Sequence, residues 1–106
     1  MLSTDRKFHF IGKLNITRSK FLDSDSNPED DEVNWLFLIL NDDARYSFVY
    51  KIEKNQDVKY ESPFIILIAF TFYDLVENAI QLNQQYTVQR GEEEIGRLEI
   101  LKKNNN

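Results

Sequence analysis

The stretch Phe64-Ile-Ile-Leu-Ile-Ala-Phe-Thr-Phe72 is a continuous apolar run interrupted by a single hydroxyl, and it limits the folds open to the chain. β-Branched and aromatic residues fit a pleated surface, and nine residues is an ordinary length for a strand covered on both faces but short for a helix. On an open sheet edge such a strand would template pairing with other chains. A closed sheet has no such edge, so the run points to a barrel.

The remaining hydrophobic pattern supplies partners. Phe8, Phe10, Leu14 and Ile16 fall on even positions with His9, Lys13 and Asn15 between them, the period of a half-buried strand, with Ile11 the one apolar exception. Val33–Leu40, which includes Trp35 and Phe37, is apolar on both faces. Asn41-Asp-Asp-Ala44 then offers turn residues, and Tyr46, Phe48, Tyr50 and Ile52 alternate after it, so these two runs are expected to pair as a hairpin. A closing hairpin is expected from Tyr86-Thr-Val88 and Ile95–Leu101, with Gly91 at a turn that needs positive φ. Between them, Leu75, Val76, Ala79, Ile80 and Leu82 follow helical spacing, which predicts a helical turn or short helix within 73–83.

The expected architecture is all-β: a small closed six-stranded antiparallel Greek-key barrel over 1–103 with one short helical turn in a connection. A long acidic loop is expected at about 21–33. The residues after Leu101 are expected to fray, with 104–106 as a loose tail.

A chain of 106 residues with 42% hydrophobic content, 8 Phe and 5 Tyr holds enough apolar surface for one core and too little for two. Cysteine is absent, which excludes a disulfide framework and thiolate metal sites. The first residues, Met1-Leu-Ser-Thr-Asp-Arg-Lys7, lack the apolar stretch of an export signal, and no apolar run has the length of a membrane helix. The expected location is the cytoplasm, with no membrane partner. There the sequon Asn15-Ile-Thr17 has no consequence.

The net charge of −5 is unevenly distributed. A basic edge is formed by Arg6, Lys7, Lys13, Arg18 and Lys20. Asp23, Asp25, Glu29, Asp30, Asp31 and Glu32 follow without a base among them, and Glu92, Glu93 and Glu94 stand beside Arg90 at the last turn. Phosphate binding depends on clustered Lys and Arg, so the overall acidity disfavours nucleic acid as a partner.

Chemistry-bearing motifs are sparse. Asp23-Ser-Asp25-Ser-Asn27 begins like a calcium loop, but Pro28 takes the position that needs Gly and Asn34 the position of the closing Glu. His9 is the single histidine, so a multi-histidine metal site is excluded in one chain, and its place between apolar positions reads as ordinary surface. Carboxylates at 92–94 lie at an expected exposed turn, where both members of a pair stay ionised. Gly12, Gly91 and Gly96 are too dispersed for a phosphate loop. The chain is therefore expected to be no enzyme and to take no cofactor or metal.

The segment Tyr86-Thr-Val-Gln-Arg-Gly-Glu-Glu-Glu-Ile-Gly-Arg-Leu-Glu-Ile100 resembles the last hairpin of the C-terminal (third) β-barrel domain of the elongation factor Tu family of translational GTPases. Tyr86, Val88, Gly91, Ile95, Gly96 and Ile100 occupy the matching places. Phe64–Phe72 looks like the preceding strand and Phe8–Ile16 like the first. The resemblance implies the barrel fold and, in the family, contacts to a GTPase domain and to the T-stem side of aminoacyl-tRNA. Gln89 stands where the family usually has Arg, Glu92 where it has Gly, Glu93 where it has a base and Glu94 where it has Thr, and Leu98 replaces a further Gly. These departures reverse the local charge. The expected function is therefore a non-enzymatic protein-interaction module, binding or inhibiting a protein partner, with a translation-associated RNA-binding or tRNA-binding domain as the alternative. A third possibility, a ligand carrier or enzyme, would need a cavity inside the barrel.

Overall fold

The computed structural model describes residues 7–17, 28, 31–41 and 44–104, with 31–35 and 41 described through their backbone. Six strands and one short helix follow in the order β1 (Phe10–Ile16), β2 (Asp31–Asn41), β3 (Ala44–Ile52), β4 (Phe64–Phe70), α1 (Tyr73–Val76), β5 (Gln85–Arg90) and β6 (Glu93–Lys103). The strands close into a barrel in the order β1-β4-β3-β2-β5-β6, with every neighbouring pair antiparallel. β2, β3 and β4 form a meander, and the connection from β1 to β2 lets β1 lie beside β4, which is the Greek-key order. The expected closed barrel and both expected hairpins are present.

β4 shows why the apolar run is continuous. Phe64, Ile66, Ile68 and Phe70 point into the barrel, where they join Phe10, Leu14, Leu38, Phe48, Val88, Leu98 and Ile100 in one core. The alternate face is covered in part as well: Ala69 and Leu67 pack with Phe8 and Val49 in a second, smaller cluster. Phe8 therefore does not extend β1, which begins at Phe10 instead. It lies over the outside of β3 and β4.

The strand also stops short of Phe72, which is 59% exposed. At Phe70 the ladder partner on the β1 side is a side chain, because the Phe70 N–H donates to His9 Nδ1 at 3.2 Å. Thr71 still donates its N–H to the Ser47 carbonyl, at 3.1 Å. Beyond it the chain turns into α1.

Two glycines are required by the backbone. Gly91 has φ of +62° at the β5–β6 turn, as expected. A Cβ on Gly96 would overlap the Asn15 carbonyl and reach within 2.8 Å of Ile16 Cα, so β1 and β6 approach there as only glycine allows.

The short helical turn expected within 73–83 is present, and two expectations about connections and ends need correction. Helix forms over Tyr73–Val76 alone. Of the helically spaced residues, Val76 is buried and Ile80 packs on the core, whereas Leu75 and Leu82 are exposed. β2 begins at Asp31, inside the 21–33 range read as loop. Lys102 and Lys103 do not fray but pair with Ile11 and Phe10. Asn104 is tied as well, its N–H to the His9 carbonyl at 2.9 Å and its side-chain amide to the Phe8 carbonyl at 3.2 Å. The β1–β6 seam extends to that residue because Asn104 donates to the Phe8 and His9 carbonyls just before β1.

Candidate functional site

Strand order brings the start of β2, with Asp31 and Glu32, and the Glu92–Glu94 turn to one end of the barrel. β1 ends beside the start of β6, since Ile16 lies opposite Gly96 and the Thr17 N–H donates to the Ile95 carbonyl at 2.7 Å. The Thr17 hydroxyl donates to that same carbonyl at 3.2 Å. β2 enters nearby: Leu36 lies opposite Arg90, and Asp31 opposite Tyr50 at the end of β3. The chain thus leaves at Thr17 and returns at Asp31 on the end that carries the turn around Gly91.

At that turn Glu92 and Glu94 are exposed, while Arg90 and Glu93 are partly buried and lie opposite each other. Glu94 pairs with Arg97 at 3.0 Å, and both side chains are more than half exposed. An exposed pair of this kind contributes about 0–1 kcal/mol, so it adds little to the turn. Asp31 and Glu32 lie in β2 and are described through the backbone. Asp23, Asp25, Glu29 and Asp30 lie outside the described residues, together with Arg6, Arg18, Lys20 and most of the calcium-like segment.

Of the basic edge, Lys7 precedes β1 at the other end of the barrel. Lys13 lies on the outer face of β1 opposite Glu99. The two are not brought into one basic strip.

The acidic end is closed by the 53–63 connection. Val58 and Tyr60 pack on the core. The Gln56 side chain donates to the Glu53 and Ile65 carbonyls at 2.7 and 2.8 Å and accepts from the Ile65 N–H at 2.6 Å. Glu61 donates its N–H to the Ile16 carbonyl at 2.7 Å.

The opposite end holds a site that the sequence did not reveal. His9, expected to be ordinary surface, is partly buried, and its ring stacks on Tyr73 with centroids 3.9 Å apart and planes 13° from parallel. Because Nδ1 accepts from Phe70, it carries no proton in this arrangement. Tyr73 also meets Phe10 at 6.0 Å, which joins the stack to the barrel interior. An open cleft of about 480 Å3 lies alongside, lined by His9, Phe70, Phe72, Tyr73, Asp74 and Leu75 among others. The Tyr73 phenol titrates above its ordinary value, through burial first and then through the charges of Glu77 and Asp74.

The alternation in β1 correctly puts His9 outside the barrel interior. What covers it is a segment more than 60 residues downstream, so nothing local marks the residue. Phe72 is concealed by its place at the end of an apolar run.

Among the described residues no group of three or more His, Cys, Asp or Glu side chains could hold a metal ion. No buried side-chain nitrogen or oxygen among them lacks a hydrogen-bond partner. No helix among them is long and apolar enough to cross a membrane. Comparison with family models, with curated proteins and with solved structures finds no match.

Proposed function

We propose that this barrel is a non-enzymatic, cytoplasmic protein-interaction module whose acidic end engages the basic face of a protein partner, either to bind it or to block it. The observation that carries this reading is the convergence of Thr17, Asp31 and the Gly91–Glu94 turn on one end of a closed barrel. The start of β2 at Asp31–Glu32 and the Glu92–Glu94 turn, far apart in the chain, share that end by strand order. A concentrated negative field steers basic partners and speeds their encounter. The barrel interior supports the same reading, because it is filled by core side chains such as Phe48, Ile66, Leu98 and Ile100. The resemblance to the third domain of the elongation factor Tu family fits a barrel that works through its surface, with the charge of the last hairpin reversed.

The test is affinity capture from the native host with the wild-type chain and with a Glu92→Lys/Glu94→Lys variant. Both positions are exposed, so folding is retained. The expected result is a specific protein partner, bound more weakly at high salt and depleted roughly tenfold or more on the variant. Capture that is equal for both chains would reject the acidic end as the binding surface. Salt-dependent capture of tRNA or ribosomal RNA in place of protein would establish the alternative reading.

A further inference from the structure

The connection from β4 to β5 places apolar side chains in solvent. Phe72 is 59% and Leu75 65% exposed. The Leu75 N–H donates to the Phe72 carbonyl at 3.0 Å, so the two side chains flank one tight turn, and both line the cleft beside the His9–Tyr73 stack. This is not a strand that has slipped out of its sheet. Val76, one residue on, is fully buried, and Ile80 packs on the core, so the connection is anchored while Phe72 and Leu75 remain outside.

The charge within the lining of the cleft is negative. Asp74 is in its lining, and no Lys or Arg among the described residues is. Glu77 follows one helical turn after Tyr73, its N–H donating to the Tyr73 carbonyl at 2.8 Å. Asp74 and Glu77 are exposed, and neither takes part in the Lys59–Asp57 or the Arg97–Glu94 ion pair. The upward displacement of the Tyr73 phenol shows that both carboxylates act on the wall of the cleft. An apolar surface rimmed by carboxylates disfavours a second copy of the same acidic face and an anionic bilayer. It favours an apolar group that brings positive charge with it.

We propose that the cleft between His9, Phe72, Tyr73 and Leu75 is a docking site for a segment of another protein that carries a bulky apolar side chain flanked by Lys or Arg. The apolar side chain rests against the rings of Phe72 and Tyr73 and the side chain of Leu75, and the flanking cations face Asp74 and Glu77. Such a site is small, open and centred on aromatic surface, as anchor pockets for single side chains are. It lies at the opposite end from the acidic surface proposed above and does not depend on it.

The test is selection of peptides from a random displayed library on the full chain, followed by mapping of the selected peptides through amide shift changes. Selected peptides are expected to combine an aromatic or aliphatic anchor with Lys or Arg and to shift the amides of His9 and residues 70–77. Leu75→Ser, at an exposed position, is expected to weaken them roughly tenfold, and Asp74→Asn/Glu77→Gln to remove their preference for basic residues. Glu92→Lys/Glu94→Lys is expected to leave them bound, which separates this site from the acidic end. The proposal is overturned by an absence of enrichment, by acidic or uncharged consensus peptides, by shifts that map to residues 90–95, or by unchanged affinity in Leu75→Ser. It is overturned equally if Leu75→Ser abolishes self-association seen by sedimentation, or partition onto phosphatidylcholine vesicles, since the patch would then belong to a second copy or to a bilayer.

Discussion

Where β3 passes into β4, the 53–63 connection turns its apolar residues Val58 and Tyr60 onto the core and ties its backbone down through Gln56. Where β4 passes into β5, the connection buries Val76 and Ile80 but leaves Phe72, Leu75 and Leu82 in water. Both segments cover an open end of the same barrel. The first accounts for its apolar residues by packing, whereas the second carries more apolar surface than closing the barrel requires. Closure alone therefore accounts for the apolar residues of the 53–63 connection, and leaves part of the 71–84 connection in need of another explanation.

The comparison assumes that one core supports both ends. Phe48 is fully buried and its ring meets those of Tyr50 and Phe70, so Phe48→Ala is expected to cost about 3–5 kcal/mol. Chemical denaturation should show a single transition at a lower midpoint, with amide exchange accelerated at both ends. Separate melting of the two ends would break the comparison at its base.

His9→Ala acts on one end alone. It leaves the Phe70 N–H without its acceptor and removes the stack on Tyr73, at an expected cost of about 1–3 kcal/mol. Hydrogen exchange should speed up at Phe70 and Glu77 and stay unchanged at Thr17. Gly91→Ala is the mirror experiment at the acidic end. A side chain at φ of +62° costs about 1–2 kcal/mol, and the resulting shift changes should stay within the β5–β6 turn while the His9 ring resonances hold.

Smaller effects sharpen the contrast. Glu94→Gln removes an exposed pair with Arg97 and should lower stability by less than about 1 kcal/mol, within the error of most unfolding curves, even where it changes binding. At the other end the Tyr73 phenol is raised in the folded state, by burial and then by Glu77 and Asp74. Its contribution to stability is intact below the ordinary tyrosine value of about 10 and is lost as pH rises through the higher folded value. Ultraviolet titration of Tyr73→Phe against the wild type should remove a late-titrating phenol. If the missing phenol titrates at the ordinary value, the carboxylates do not act on the cleft.

The strands were legible because alternation is a local property. The even positions of Phe10–Ile16 and the alternation from Tyr46 to Ile52 report which face meets the core, and Gly91 marks its turn through a backbone requirement of its own. The double-sided burial of Phe64–Phe70 was equally plain. Where the run leaves the ladder was not, because the His9 ring takes the Phe70 N–H from the far side of the chain. Helical spacing across 75–82 was read as a helical turn, which forms at Tyr73–Val76, and of the spaced residues Val76 and Ile80 are the ones packed in or on the core. Acidic residues at 92–94 were visible as composition. Their position at the end where β1 leaves and β2 enters follows from strand order, which no local pattern encodes.

The seam between β1 and β6 sets a timetable for folding. Phe10 pairs with Lys103 and Ile16 with Gly96, so the first strand finds one of its two neighbours only after every other strand of the barrel has been made. Contacts this distant slow folding. During synthesis, β1-β4-β3-β2 can assemble as an open sheet whose outer edges are β1 and β2, and the β5–β6 hairpin enters last between those edges. Until it does, both edges are free to pair with a neighbouring nascent chain. The final hairpin is the piece that ends this vulnerable interval.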